Sequence, residues 1–330
     1  MPVCFGRDVS GNAGNCLDIG LVNNMPGKAL QATERQFLTL LNSAARNVAV
    51  RLWLYALPDV PRTDSGRRHI DSFYSGIDQL WDRPLDGLIV TGMEPRASNL
   101  KDEPHWASMT RLIDWAERNT RSTIWSCLAA HAAVLHTDGI VRRRLSEKRF
   151  GLFECDRVSE HPVLAGVPST LSVPHSRWND LREQELSAAG YGVLTRGREA
   201  GVDMFIKQRQ SLFIFLQGHP EYDANSLQLE YARDVGRYLR RETENYPPLP
   251  YAYFDRETEA ALTAIEARAV RDPREELLAD VTAHTTRNRT NVWHSPAIRI
   301  YSNWLAHLSA AQAQATGQLR RDLEHHSVAT

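Results

Sequence analysis

The chain has few cysteines, and none of them is spaced to bind a metal. Cys4, Cys16, Cys127 and Cys155 are the only four in 330 residues, and no two form a CxxC pair. This spacing argues against a thiolate zinc site or a dithiol redox motif. Scattered thiols are typical of a reducing compartment, where most of them are packing residues. We therefore expect no metal site.

An excess of charge of either sign is also absent. The 39 Lys and Arg residues nearly balance the 40 Asp and Glu residues, giving a formal net charge of -1. This balance gives no reason to expect a nucleic-acid or membrane partner. No apolar run approaches the length of a membrane span. The opening stretch MPVCFGRDVSGNAGNC lacks the basic start and apolar run of a signal peptide, which predicts a cytoplasmic protein.

The pattern of apolar residues predicts the α/β class. Strand-like runs alternate with amphipathic helical patterns through two-thirds of the chain; the runs include CLDIGLVNN, VAVRLWLY, DGLIVTG and STIWS. This alternation is typical of a doubly wound, mostly parallel sheet with helices on both faces. Between about 151 and 207, shorter strands and turns predict an antiparallel extension. The run LFIFLQG then returns to the main sheet.

Changes in composition divide the chain into three parts. Residues 1–16 are expected to be a flexible N-terminal segment, and residues 17–255 to form the α/β domain. Residues 256–330 are expected to be a charged, partly helical C-terminal extension that packs back on the domain. Within it, one helix is predicted over ETEAALTAIEARAV, and the amphipathic segment IRIYSNWLAHLSAAQ supplies the returning contact.

Cys127 is distinguished from the other cysteines by its position. It stands between the short strand STIWS and an alanine-rich helix, which is the setting of a nucleophile elbow. Helix N-termini favour the thiolate form of a cysteine, and the thiolate is the nucleophile. Elbows usually have glycines two residues to either side, whereas this chain has Trp125 and Ala129. A buried structural cysteine is the alternative interpretation.

His219 and Glu221 follow the apolar run LFIFLQG and supply a base and a carboxylate. A cysteine nucleophile needs a base within hydrogen-bond reach, and the base needs a third group to orient it. Cys127, His219 and Glu221 all follow predicted parallel strands, so the sheet brings them to one edge. A polar turn is the alternative for His219 and Glu221. His131 competes as the base, but it is interpreted as a helix-packing residue.

Several ordered motifs resemble a known family. They are IGLVNNMP with TERQFLTLLN, LDGLIVTG, SEKRFGLFE, VPHSRWND, GHPEYDANSLQLEYARDV, PYAYF and SNWL. In this order they resemble the homoserine O-acyltransferases, which include homoserine O-succinyltransferases and acetyl-transferring relatives. These enzymes belong to the class I glutamine amidotransferase-like proteins, with a flavodoxin-like sheet. The resemblance covers roughly residues 17–255 and a patch around 293–305.

The resemblance implies a role for each catalytic residue. Cys127 would take the acyl group from acyl-CoA as a thioester and pass it to the hydroxyl of homoserine. His219 would be the general base, and Glu221 would orient it. The backbone N–H groups of Leu128 and of Met93, after the Thr-Gly pair of LDGLIVTG, would bind the oxyanion. No cofactor is implied, because acyl-CoA is a co-substrate.

Further residues are implied to bind substrates. Lys148 matches a lysine that the family uses near the substrate, Ser176 and Arg177 match a segment that lines the acceptor pocket, and Arg233 matches an arginine that pairs with the acceptor carboxylate. Solvated surface charges are the alternative for Lys148 and Arg233. Family members are commonly dimers, so a homodimer is expected.

The loop after strand DGLIVTG departs from the family pattern. Relatives continue Thr-Gly-Ala-Pro, whereas this chain reads TGMEPR and ends the motif at Arg96. A cation there favours succinyl-CoA as the donor, unless Glu94 pairs with it. Acetyl-CoA as the donor and L-serine as the acceptor remain open alternatives. A glutamine amidotransferase-like hydrolase and a catalytically silent binding module are more remote; the complete set of catalytic residues argues against the module.

Overall fold

The computed structural model describes residues 3–6, 16–286 and 290–327. The described residues form one sheet with these strands: β1 Val3–Phe5, β2 Cys16–Val22, β3 Ala49–Tyr55, β4 Gly87–Val90, β5 Ser122–Ser126, β6 Arg143–Arg157, β7 Thr170–Asp180, β8 Gly192–Gly197, β9 Gly201–Gln208 and β10 Leu212–Leu216. The α-helices are α1 Gly27–Ala44, α2 Asp64–Phe73, α3 Ile77–Trp81, α4 Trp106–Asn119, α5 Leu128–Asp138, α6 Glu183–Ala188, α7 Ser226–Leu239, α8 Arg256–Arg271, α9 Leu277–Thr285 and α10 His294–Ser327.

The sheet has a parallel half and an antiparallel half. Its strand order is β1-β3-β2-β4-β5-β10-β9-β8-β6-β7. The pairings from β1 to β10 are parallel, and those from β10 to β7 are antiparallel. β10 is buried along its whole length, since it pairs with β5 on one side and β9 on the other. The predicted doubly wound α/β class is confirmed.

The strand order places a ligand crevice at one point of the sheet. From β2 the chain first adds β3 on one side and then returns to add β4 and β5 on the other. At such a reversal the loops after neighbouring strands diverge and leave a gap at their carboxyl ends. Apolar side chains fill both faces below this gap. The gap is therefore the natural location of a site.

The N-terminal segment differs from the expectation of flexibility over residues 1–16. Val3–Phe5 forms β1, which pairs in parallel with β3 in a register that aligns Val3 with Val50. Val3 is buried in the main core, and Cys16 already begins β2. A three-residue strand is too short to give a periodic signal, which explains why the pattern missed it. The remainder of this prediction, 1–2 and 7–15, lies outside the described residues.

The antiparallel extension begins earlier, with longer strands, than the prediction of about 151. β6 starts at Arg143 and has 15 residues, and β7 has 11. The start of β6 lies in a charged run that shows no apolar alternation. Ion pairs take the place of apolar packing there: Lys148 lies 3.1 Å from Asp234, and Arg149 lies 3.2 Å from Asp180. This is why the pattern placed the boundary too late.

The C-terminal region contains one more helix than expected and a long final one. The helix predicted over ETEAALTAIEARAV is present as α8, Arg256–Arg271, but α9 follows it; Leu277 and Val281 are the buried apolar residues that anchor α9. Helix α10 contributes Tyr301, Trp304 and Leu308 to the main core beneath the parallel strands. No helix in the described part of the chain is both long and apolar enough to cross a membrane.

Candidate active site

Loops at the carboxyl ends of the parallel strands surround a cleft of about 260 Å³. Met25 follows β2, Thr91 follows β4, Cys127 follows β5 and His219 follows β10, and all four line the cleft. The opposite wall is formed by β6, β7 and helix α7. The sheet therefore assembles residues that are far apart in the sequence.

Cys127 has the backbone conformation of an elbow nucleophile. Its φ of 53° and ψ of -115° are unusual for a residue other than glycine, and the sharp turn joins β5 directly to α5. Its N–H donates to the carbonyl of Leu216 at 2.7 Å, which fixes the turn against β10. Trp125, at the place of an elbow glycine, is fully buried and packs edge-on against Phe213. The core thus accommodates the departure from the usual motif.

A tight backbone approach marks the place for an oxyanion. A side chain added at Gly92 would lie 2.8 Å from the backbone nitrogen of Leu128, so only glycine fits there. Leu128 begins α5, and the first N–H groups of a helix have no partner within the helix. Met93 follows Gly92 in the cleft wall. The backbone segments expected to bind the oxyanion therefore lie side by side next to Cys127.

His219 forms a dyad with Glu221. The Nδ1 atom of His219 lies 2.8 Å from Oε1 of Glu221, and the carboxylate is buried. Burial alone lowers the pKa of the imidazole, but the charges of Glu221 and Cys127 outweigh it and raise this pKa well above its ordinary value. His219 is therefore protonated when the cysteine is a thiolate. The structure thus brings the three predicted catalytic residues together.

His131 has another role. Its Nε2 atom lies 2.9 Å from Oε1 of Gln217, and the side chain is buried. Burial lowers the pKa of His131 to about 4, so the ring stays neutral at physiological pH. The prediction that His131 packs within the structure agrees with this bond between α5 and the end of β10.

The predicted substrate residues meet in one network of charges on the cleft wall. Nζ of Lys148 lies 3.1 Å from Asp234 and 3.7 Å from Glu230. Ser176 donates to Glu230 at 2.6 Å. Arg233 donates to Asp234 at 2.8 Å, and its Nη2 lies 3.7 Å from Glu230. Two cations and two carboxylates thus face the cleft, an arrangement that complements an amino acid zwitterion.

The neighbouring residue Arg177 has a different role from Ser176. It is buried, and it donates to Asp180 at 2.8 Å and to the carbonyl of Asn179 at 2.7 Å. A further donor of the guanidinium bonds the carbonyl of Ala200, and Nε bonds His175. Its donors are used within the protein, so Arg177 fixes the strands rather than a ligand carboxylate.

Arg96 does not have the expected position. It is exposed and does not line the cleft, and its backbone N–H donates to the buried carboxylate of Glu103 at 2.7 Å. Glu94 lines the cleft instead, and its carboxylate lies 3.2 Å from Arg237 of α7. Glu94 therefore pairs with Arg237 and not with Arg96. The structure thus removes Arg96 as a reason for preferring succinyl-CoA.

Cys155, His175 and Asp203 form the one described group of side chains whose spacing could hold a metal ion. All three are buried; burial raises the pKa of the thiol and lowers that of His175 to about 4. Nδ1 of His175 accepts from Arg177, and Nε2 lies 3.4 Å from Asp203. A metal cation beside that guanidinium would be repelled. The group instead packs against residues 217–222, the loop that carries the expected catalytic residues His219 and Glu221 and is called the catalytic loop below. The approach is close, since a side chain at Gly218 would lie 2.7 Å from Asp203.

The C-terminal region supports the catalytic loop from behind. Trp293 and Asn291 both donate to the backbone carbonyl of Tyr222, at 2.9 and 3.3 Å. Tyr301 of α10 is fully buried; burial, together with the nearby carboxylate of Glu221, raises its pKa well above the ordinary value. The Tyr301 hydroxyl and the Oε2 atom of Glu221 are buried without hydrogen-bond partners among the described residues. The extension therefore completes the surroundings of the Glu221 carboxylate.

Comparison with known proteins identifies the family. The family model described as "HTS: Homoserine O-succinyltransferase" matches residues 7–315. The chain belongs to the homoserine O-succinyltransferase family. This confirms the resemblance inferred from the motifs. A homoserine O-succinyltransferase of Rhodopseudomonas palustris is 51% identical, with 90% of each chain covered. One of Bradyrhizobium japonicum is 47% identical, covering 89% of this chain and 90% of the relative.

Solved structures similar to this member of the homoserine O-succinyltransferase family are more distant. One titled as a glutamine amido transferase from Methylobacillus flagellatus is 13% identical and covers 89% of this chain and 95% of its own, with a TM-score of 0.49. A glutamine amidotransferase from Thermotoga maritima is 12% identical and covers 82% of this chain and 99% of its own, with a TM-score of 0.43.

Sequence reasoning missed two residues of this homoserine O-succinyltransferase family site. Glu230 joins Ser176, Lys148 and Arg233. Tyr222 donates its hydroxyl to Glu230 and also stacks on the ring of His219. The available signal for Glu230 was its helical spacing from Arg233, since residues three apart lie on the same helix face.

Proposed function

We propose that this protein transfers an acyl group, with succinyl favoured, from acyl-CoA to the hydroxyl of L-homoserine through a thioester on Cys127. This ping-pong reaction would be the first committed step of methionine biosynthesis, in the cytoplasm, with acyl-CoA as a co-substrate and no resident cofactor. The observation that carries the proposal is that Cys127 and the His219–Glu221 dyad share a cleft with a wall of paired cations and carboxylates. The names of the relatives support the succinyl donor.

In the first half-reaction, the Cys127 thiolate attacks the thioester carbonyl of acyl-CoA. The carbonyl oxygen becomes an oxyanion, which the backbone N–H groups of Leu128 and Met93 stabilise. The bond to the coenzyme sulfur then breaks. The departing thiolate takes a proton from the His219 imidazolium, leaving the acyl group on Cys127 and His219 neutral. The raised pKa of His219 in the free enzyme supports this role as the acid.

In the second half-reaction, His219 acts as the base. Formation of the thioester removes the negative charge of Cys127, which is one of the interactions that raise the pKa of His219. The neutral imidazole accepts the proton of the homoserine hydroxyl, whose oxygen attacks the thioester. Collapse of the intermediate releases the ester and restores the thiolate beside the imidazolium. The charge of Glu221 favours the imidazolium at the end of each cycle.

The charged wall supports an amino acid as the acceptor. Arg233, with its planar guanidinium, would pair with the substrate carboxylate, and Lys148 would add a second positive charge. Glu230 would accept from the ammonium group while Ser176 holds its carboxylate in position. This arrangement fixes the backbone of the acceptor and leaves the side-chain hydroxyl to reach the thioester.

A matrix of donors and acceptors tests the proposal. Acetyl-CoA and succinyl-CoA are each combined with L-homoserine and L-serine, and glutamine hydrolysis is measured in parallel. We expect the highest kcat/KM for succinyl-CoA with homoserine. A higher kcat/KM with acetyl-CoA would identify acetyl-CoA as the donor, and a higher kcat/KM with serine would identify serine as the acceptor. Release of ammonia from glutamine without acyl transfer would overturn the proposal in favour of a hydrolase.

Mass spectrometry of the protein mixed with acyl-CoA alone tests the intermediate. An acyl group should accumulate on the peptide that contains Cys127 and be lost on addition of homoserine. Cys4 is an exposed thiol and serves as the internal control, since it should stay unmodified. Acylation of both cysteines, or of neither, would contradict the ping-pong route. The expected homodimer stays a prediction, which analytical ultracentrifugation would check.

A further inference from the structure

An exposed tryptophan lies at the mouth of the cleft. Trp178 lines the cleft, yet 41% of its surface is exposed. It lies on β7, two residues after Ser176, which contacts the acceptor wall through Glu230. Because alternate side chains of a strand point to the same face, Trp178 continues that wall outward. The proposed acyl transfer has so far given this ring no role.

An arginine from the neighbouring strand lies over this ring. The guanidinium carbon of Arg144 is 4.9 Å from the centre of the Trp178 ring. Arg144 is paired in register with Asn179, the next residue of β7. It is exposed, and no carboxylate lies within ion-pair distance of it in the described part of the chain. A positive charge is thus available beside an open aromatic surface.

Arg142, two residues before Arg144, contacts the loop after β4. Its Nη2 donates to the carbonyls of Ala97 and Ser98, in the loop after β4, at 3.4 and 3.2 Å. Its Nη1 is buried without a hydrogen-bond partner among the described residues. Burial lowers the pKa of Arg142, while the charges of Glu103 and Cys127 raise it. Arg142 is therefore joined to the loop after β4, whose first residues line the cleft.

The residues that precede Arg144 border a surface hollow of about 570 Å³. Arg142, Arg143 and Arg182 line it. Arg143 lies 3.5 Å from Asp180, and Arg182 lies 3.3 Å from Glu185; both arginines are about half exposed. The Asp180 side chain is buried, but both guanidinium groups are open to solvent, so they can also contact a phosphate.

We propose that Trp178, Arg144 and the hollow lined by Arg142 and Arg143 bind the adenosine 3'-phosphate 5'-diphosphate end of acyl-CoA. The inference rests on the proposed function, which places the thioester at Cys127. The pantetheine arm runs outward past Trp178, and the adenine packs on the open face of the indole. The guanidinium groups bind the phosphates, for which their planar donors are well suited.

The test compares two donors that carry the same acyl group. One is acyl-CoA, and the other is the acyl thioester of N-acetylcysteamine, which lacks the nucleotide. For Arg144→Ala we expect the KM for acyl-CoA to rise about tenfold, the loss expected for one charge-assisted contact. With the truncated thioester, kcat/KM should stay within about twofold of the value for the unsubstituted protein. Trp178→Ala should give the same selective loss.

Arg46→Ala is the matched control. Arg46 is exposed and precedes β3, so it lies at the amino edge of the sheet, opposite the cleft. This substitution removes the same charge and should change neither donor. Equal losses with both donors for Arg144→Ala, or no loss with acyl-CoA, would overturn the proposed nucleotide site.

A binding measurement separates this inference from the proposed function. Calorimetry of adenosine 3',5'-bisphosphate with the unsubstituted protein should show binding that Arg144→Ala weakens about tenfold and Arg46→Ala leaves unchanged. If neither thioester is a donor, the proposed function fails, but this binding would still support the nucleotide site. Absence of binding, or equal weakening in both variants, would refute the site.

Discussion

The ring of Tyr222 lies parallel to the imidazole of His219, with centroids 4.3 Å apart and ring planes inclined by 18°. The same tyrosine donates its hydroxyl to Glu230 of the acceptor wall. One side chain therefore contacts both His219, the expected base, and a carboxylate expected to hold the acceptor. The stacking fixes the plane of the imidazole, and the hydrogen bond fixes the tyrosine.

Two substitutions of Tyr222 separate these contacts. Tyr222→Phe keeps the stacked ring and loses the bond to Glu230, so we expect the acceptor KM to rise about tenfold with little change in kcat. Tyr222→Leu also loses the stacking and should lower kcat, because the imidazole is no longer held in plane. Steady-state kinetics of both variants check this. Equal effects of the two substitutions on kcat would contradict a role for the ring.

Cys127 should contribute activity at a cost in stability. Its positive φ disfavours every residue except glycine, so Cys127→Gly should have a free energy of unfolding about 1 kcal/mol higher than Cys127→Ala. Both variants, and Cys127→Ser, should lose acyl transfer. Denaturant titration gives the stabilities. Ala129 within α5 is the control, since Ala129→Gly should lower stability by about 1 kcal/mol.

The pH dependence of stability follows from the raised pKa of His219. The folded protein holds this proton above the ordinary pKa of histidine, about 6.5, so the stabilisation is complete below that pH. It is lost as the pH rises through the folded pKa. Glu221→Gln removes a charge that raises the pKa of His219. The variant should therefore be less stable than the unsubstituted protein at low pH, and this difference in unfolding free energy should shrink as the pH rises through the folded pKa of His219.

Direct titration of the imidazole by NMR measures the same effect. The His219 signal should titrate well above its ordinary range in the unsubstituted protein and at lower pH in both Glu221→Gln and Cys127→Ser, because each loses a negative charge. A signal that titrates identically in all three proteins would rule out the proposed thiolate–imidazolium pair.

His219 and His131 should respond differently to replacement. His219→Ala should lower kcat by about 10² to 10⁴, the usual share of a general base. His131→Gln should keep kcat within about tenfold, because His131 bonds Gln217 and not the reacting groups. Thermal unfolding of both variants shows whether either loss reflects the fold. If folded His131→Gln lost more of its rate than His219→Ala, His131 would be the base and His219 the packing residue.

Trp293→Phe tests the support from the C-terminal region. It removes the bond to the carbonyl of Tyr222, which should cost about 1 kcal/mol of stability and also lower kcat, because the catalytic loop loosens. Trp115→Phe is matched to it, since Trp115 donates to the carbonyl of Trp81, remote from the cleft. It should lose similar stability and no activity. A similar fall of kcat in both would contradict a local effect.

The sequence predicted that Cys127, His219 and Glu221 lie together, because their position depends on strand order alone. Cys127, His219 and Glu221 each follow an apolar run that had to be a parallel strand, and such strands end at one edge. The position of Arg96 depends instead on two hydrogen bonds, in which the backbone N–H groups of Arg96 and Ala97 donate to the carboxylate of Glu103. These bonds produce no periodic signal in the sequence.

Charged and polar stretches concealed the rest of the site. Glu230 and Asp234 have the spacing of a solvated helix face, and only tertiary packing shows that this face turns to the cleft. Trp293 lies near a polar stretch without apolar alternation, so its contact with the catalytic loop could not be predicted.

The contacts that Trp293 and Tyr301 make behind the catalytic loop have a consequence for the timing of activity. A nascent chain can pair its central strands while these residues are still inside the ribosome. At that stage the carbonyl of Tyr222 lacks its bond from Trp293, and Glu221 lacks its contact with Tyr301. We therefore expect the proposed thioester chemistry to begin only after the segment that carries Trp293 and Tyr301 has left the ribosome.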